Sequence, residues 1–122
     1  MKKIAVSAEG PDLDARVDPR FGRAAGFLIV DPQSLACEYV DNGASQVMAQ
    51  GAGIQAAEIV AATGAAVLLT GFVGPKAFQA LNAAGIQIGQ NVDQLTVREA
   101  VQKFKDGQVP MADAPNSRGH RA

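Results

Sequence analysis

The 122-residue chain has no tryptophan, one cysteine, one histidine and no long hydrophobic run. The lone cysteine, Cys37, excludes an internal disulfide and any iron–sulfur site built on several thiolates. The lone histidine, His120, lies near the end, so Ser7 and Ser45 have no other candidate base. No apolar stretch approaches the roughly 20 residues that a membrane helix needs. The opening Met1-Lys2-Lys3-Ile4-Ala5-Val6 is too short an apolar run for a signal peptide and reads as a strand. A net charge of −1 gives no basic field for bulk nucleic-acid binding. A soluble, cytoplasmic monomer without nucleic-acid or membrane partners is expected. Aromatics are only 5%, so Ala, Val, Ile and Leu must fill the core.

What is present suffices for one domain: 48% of residues are hydrophobic. Residues 3–8, 26–31 and 36–41 read as strands, the last two antiparallel across the turn Asp31-Pro32-Gln33-Ser34. The polar, glycine-flanked stretch 42–51 reads as a mobile loop. Residues 52–63 are predicted helical, with Ile54, Ala57 and Ala61 on one face and Gly64 as stop. Residues 65–70 form a continuous apolar strand, buried on both faces and therefore parallel. Pro75 opens the next helix, which Gly85 ends, and Ile86-Gln87-Ile88 is a short edge strand. Thr96-Val97-Arg98-Glu99 matches a capping box for a last helix ending at Gly107. Residues 109–122 are polar and aperiodic and read as a disordered tail after a domain over 1–108.

The element order is β-β-β-α-β-α-β-α. Right-handed crossovers then favour an α/β fold of the ribonuclease H-like type: a mixed five-stranded sheet, order 3-2-1-4-5, with helices packed on it. Four connections (9–24, 42–51, 71–74 and 89–95) gather at the carboxyl ends of the strands, where open α/β sheets bind ligands. Three helices begin there, near Gly51, Pro75 and Val97, and each brings free N–H groups. Arg20, Arg23 and Lys76 add positive side chains, so a compact polyanion suits this edge. The strands Ile4-Ala5-Val6-Ser7 and Val67-Leu68-Leu69-Thr70 carry no central carboxylate. A two-metal nuclease centre therefore has no ligands there, and no catalytic residue is assigned.

The segment Asp18-Pro19-Arg20-Phe21-Gly22-Arg23-Ala24, followed by Phe27 and Asp31, resembles the signature of the dinitrogenase iron–molybdenum cofactor biosynthesis family, which includes NifX-like and NifB C-terminal-like domains. Asn42, Gly51, Gly53, Gly71, Leu81, Gly85-Ile86, Thr96 to Ala100, Phe104 and Gly107 continue the pattern over roughly residues 1–108. The resemblance implies a ribonuclease H-like domain that is not an enzyme. It would bind, carry or assemble an anionic metal–sulfur cluster, of molybdenum–copper sulfide or iron–molybdenum type. Some relatives are thought to use His or Cys ligands, but His120 lies outside the matched region and Cys37 inside a strand. Non-covalent capture is therefore expected, by Arg20, Phe21, Gly22, Arg23, Asn42, Gly51, Gly71, Gly74 and Lys76. Cluster-assembly or ATPase proteins are the implied partners. The competing class is a regulatory or interaction domain that binds a small anionic metabolite or a partner protein at the same edge.

Each of these residues also has a plainer role. Arg20 and Arg23 can brace their loop through Asp12, Asp14 or Asp18. Phe21 reads as a core plug, and Gly22 as a backbone angle that only glycine adopts. Gly51, Gly53 and Gly71 fit packing and turn positions equally well. Lys76 fits a solvated surface position, Cys37 a small buried apolar side chain, and Met48 either an apolar wall or an exposed loop.

Overall fold

The computed structural model describes residues 2–116. Strands β1 (Ile4–Ala8), β2 (Gly26–Val30), β3 (Cys37–Asp41), β4 (Val67–Leu69) and β5 (Gln87–Gly89) form one sheet of order β3-β2-β1-β4-β5. β1 pairs antiparallel with β2 and parallel with β4, β2 is antiparallel to β3, and β4 is parallel to β5. This is the mixed sheet expected, and the short apolar run at Val67–Leu69 is indeed parallel and buried on both sides.

Strand alternation sends the side chains into two cores. Ala5, Phe27, Ile29, Leu68 and Ile88 meet α2 (Ala52–Ala62) and α3 (Pro75–Ala83) on one face. Ile4, Val6, Leu28, Val30, Val67 and Leu69 meet α4 (Val97–Lys105) on the other. The capping box at Thr96 and Glu99 is formed, and Gly85 and Gly107 take the left-handed conformation after their helices.

Four expectations need correction. The 42–51 stretch is not wholly loop, because Gly43–Gln46 forms a single helical turn, α1, with Ser45 buried under it. In α2 the buried residues are Ala52, Ala56, Ala57 and Val60, whereas Ile54 is 40% exposed and Ala61 lies outside. Ala-Gly-Ile-Gln-Ala-Ala-Glu-Ile-Val-Ala-Ala is apolar nearly all round, so its periodicity is a weak guide to the inward face. Cys37 is exposed, because β3 is an edge strand with no helix over its start. Residues 109–116 pack instead of trailing: Val109 is buried, Met111 bridges to Gly89, and the Ala112 N–H donates to the Ile88 carbonyl at 2.7 Å. Residues 117–122, including His120, lie outside the described residues.

Candidate functional site

The arginine loop is built around Asp18, which is 3% exposed. Its Oδ1 accepts from the Arg20 N–H at 3.0 Å, and its Oδ2 from the Ala25 N–H at 3.3 Å. One buried carboxylate thus pinches both ends of the Arg20–Ala25 turn. Of the three acids expected to brace the arginines, Asp18 is the one that does so. The signal was its place at the head of the motif, where a short acceptor side chain can bond its own loop's N–H groups.

Arg20 and Arg23 are braced, but not equally. Arg20 Nε stands 3.6 Å from Asp18 Oδ1 while its side chain remains 63% exposed. Arg23 Nη1 donates to the Gln46 carbonyl at 3.0 Å, and Gln46 Nε2 returns a bond to the Arg23 carbonyl at 3.2 Å. Asp14 pairs with Arg98 instead, and Asp12 accepts from the Asp14 N–H. Phe21 is 1% exposed, its ring 5.4 Å from that of Phe27, so it anchors the loop from beneath and offers no face to a ligand.

The glycines act mainly through close approach. A Cβ on Gly22 would lie 3.0 Å from the backbone of Gly53, and one on Gly53 would lie 2.9 Å from the Ala77 Cβ. The arginine loop therefore sits on the first turn of α2, and that turn sits on the first turn of α3. Gly22 is needed for this contact and not for a positive φ, which corrects the expectation. Gly71 likewise abuts Pro19: a Cβ there would lie 2.7 Å from the Pro19 Cα. Gly51, at φ 78°, is the one glycine of this edge that needs the left-handed region.

Two of the three helix starts are open. α2 begins at Gly51 and α3 at Gly74, with no side-chain cap and no acidic residue in either first turn. Among the described residues, the N–H groups of Ala52, Gly53, Ile54, Lys76 and Ala77 have no acceptor. Such groups carry the positive end of the helix dipole. The third start is closed, contrary to expectation. In α4 the Glu99 N–H bonds to Thr96, and the Val97 and Arg98 N–H groups bond to the Ala15 and Leu13 carbonyls. Lys76 is exposed on the first turn of α3, where it adds charge to this edge.

Asn42 is fully buried and works as a clasp. Its Nδ2 donates to the Gly22 and Ala24 carbonyls at 3.3 and 3.0 Å, which ties the arginine loop to α1. Its Oδ1 and the Ser45 Oγ are buried without a partner among the described residues. One surface hollow lies by Lys3, Asp31 and Cys37, and another between α2 and α3 at Ile54, Glu58 and Ala80.

Cys37 is remote from this edge. It pairs with Val30, which pairs with Ile4, so it stands level with the start of β1. Asp41, four residues on, is level with Ala8 at the carboxyl edge, about 13 Å away along the strand. Among the described residues no three His, Cys, Asp or Glu side chains are grouped to hold a metal ion, and no helix is long and apolar enough to cross a membrane.

Residues 2–107 match the family model for the dinitrogenase iron-molybdenum cofactor. The chain belongs to this family. Its fold also matches solved relatives. The apo form of the orange protein from Desulfovibrio gigas is 68% identical, with a TM-score of 0.94 over 96% of this chain and 98% of that one. A NifB-like protein from Thermotoga is 32% identical, with a TM-score of 0.77 over 91% and 93%. An uncharacterised protein of Methanocaldococcus jannaschii is 27% identical over 97 residues, 77% of this chain and 80% of its own.

Proposed function

We propose that this protein binds and carries an anionic metal–sulfur cluster at the carboxyl edge of its sheet, without protein sulfur in the bond. The observation that carries this reading is the contact between two uncapped helix starts, Ala52–Ile54 and Lys76–Ala77, under a loop that presents Arg20. Unpaired helix-start N–H groups and an exposed guanidinium suit an anion better than a single metal ion, which needs defined ligands. Family membership supports a molybdenum-containing cluster, of iron–molybdenum or molybdenum–copper sulfide type, as the cargo. The role is that of a carrier that hands its cargo to assembly or ATPase proteins, with no chemistry of its own.

Exposed Val47 (84%) and Phe72 (45%) at the same edge favour a second reading, a regulatory or interaction domain that binds a partner protein or a small anionic metabolite there. Adding tetrathiomolybdate and copper to the apoprotein separates the two. Carriage predicts a coloured species that stays with the protein through gel filtration, and with a Cys37→Ala variant equally. Colourless protein rejects carriage and leaves the docking reading. Colour lost only in the Cys37 variant rejects capture without sulfur.

A further inference from the structure

The segment after α4 extends past the matched family domain and ends at the same edge as the arginine loop. From buried Val109 it crosses β5, held by the Met111 bridge to Gly89, the Ala112 N–H on the Ile88 carbonyl and Gln90 Nε2 on the Ala114 carbonyl at 3.3 Å. It delivers Asn116 to the β4–α3 connection. There Asn116 Oδ1 accepts from the Val73 N–H at 2.9 Å, while Nδ2 donates to the Gly71 carbonyl at 2.9 Å and to Asn91 Oδ1 at 3.0 Å. Both amide hydrogens and the carbonyl oxygen are thereby used.

Phe72 lies between the two anchored residues. Its N–H donates to the Pro19 carbonyl at 2.7 Å, and its carbonyl accepts from the Phe21 N–H at 3.2 Å. Those bonds flank Arg20, which itself pairs with Phe72 as an isolated parallel bridge. Gly71 presses on Pro19 too closely to admit a Cβ, so there is little slack between the loops. The connected path runs from Asn116 to Gly71 and Val73, through the Phe72 backbone, to Pro19, Arg20 and Phe21.

We infer that Asn116 is a positioning residue for Arg20, and that the 109–116 strap sets the arginine loop for its ligand. The inference rests on the reading of this edge as an anion site. Asn116 spends its side-chain bonds on the loop and acts on the ligand only through Arg20. Without it, the Gly71 carbonyl and Val73 N–H turn to water and the 71–73 loop gains freedom. Arg20 then has to be ordered when the ligand binds, which weakens affinity.

Two arms test this. Amide exchange of the apoprotein, which needs no ligand, compares wild type with Asn116→Ala and Asn116→Asp. The Asp variant keeps the acceptor for Val73 but loses the donor to Gly71. Faster exchange at Phe72, Val73 and Phe21, with β1 and α4 unchanged and a smaller effect for Asp, is expected. Unchanged exchange at Phe21 overturns the inference, whatever the edge binds. The second arm measures retention of tetrathiomolybdate with copper in Asn116→Ala, Arg20→Gln and the double variant. Asn116→Ala should weaken retention about fivefold in the wild-type background and not at all beside Arg20→Gln, the non-additivity of residues in one network. Additive losses overturn it. Wild-type protein that retains no thiometallate refutes the anion reading alone, since the exchange arm still decides the strap.

Discussion

At the scale of single residues, Arg20 and Arg23 divide the labour of the loop. Arg23 is tied to Gln46 and mostly holds α1 in place, whereas Arg20 keeps most of its surface in water. Charge-assisted bonds contribute about 1.5–3 kcal/mol each, so changing both arginines to Gln should weaken thiometallate retention by roughly tenfold or more. Most of that loss should follow Arg20. Retention should also fall as salt rises, because an exposed guanidinium is screened. A folded double variant with unaltered retention, followed by absorbance after gel filtration, would refute the role. Asp31 gives a separate check on local geometry. Its carboxylate accepts from the N–H groups of Gln33 and, secondarily, Ser34, which holds its pKa below the usual carboxylate value. The stabilisation is therefore complete above the unfolded value and is lost as pH falls through the lower folded one. An NMR titration should place the Asp31 midpoint below the ordinary carboxylate range. A midpoint at the ordinary value would mean that the turn is open.

At the scale of elements, what the sequence announced were features with a local cause. Pro75 at a helix start, the Thr96 and Glu99 box, and the apolar strand at 67–69 each follow from one or a few residues and were placed nearly where they stand. The arginine loop and Asp18 as its brace were legible in the motif, but not the burial of Asp18 or its bond to the Ala25 N–H. The α1 turn and the 109–116 strap escaped because neither has an apolar period. α1 is a single turn clasped through Asn42, and the strap is held by backbone bonds and one asparagine. The open starts of α2 and α3 were foreseen, whereas the closure of α4 depends on Leu13 and Ala15 carbonyls far away in sequence. The segment after α1 carries a prediction of its own. Among the described residues the N–H groups of Ala49, Gln50 and Gly51 have no acceptor, so they should exchange quickly in the apoprotein. Bound cluster at the neighbouring start of α2 should slow them. Equal exchange of residues 49–51 with and without cluster would count against this segment as a cover.

At the scale of the whole molecule, the central strands β1 and β4 of the mixed sheet carry no carboxylate. The loop acids Glu9, Asp12, Asp14, Asp18 and Asp93 are scattered, Asp14 being paired with Arg98 and Asp18 with Arg20, and Asp41 stands alone at the end of β3. Two-metal phosphoryl transfer needs ions about 3.5–4 Å apart between shared carboxylates. Incubation with RNA–DNA hybrid and single-stranded RNA in Mg²⁺ or Mn²⁺ should therefore give no turnover. Cleavage that co-purifies and vanishes with Asp12→Asn or Asp14→Asn would make the protein an enzyme.

The central claim is one of place: the anion is held at the carboxyl edge, at the opposite end of β3 from the only sulfhydryl. Backbone amide spectra recorded while tetrathiomolybdate and copper are added read that place directly. The largest changes should fall on Arg20, Arg23, Ala52, Gly53, Lys76 and Ala77, with Lys3, Cys37 and Glu38 unmoved. Changes centred on Cys37 and its neighbours, with the helix starts silent, would contradict it.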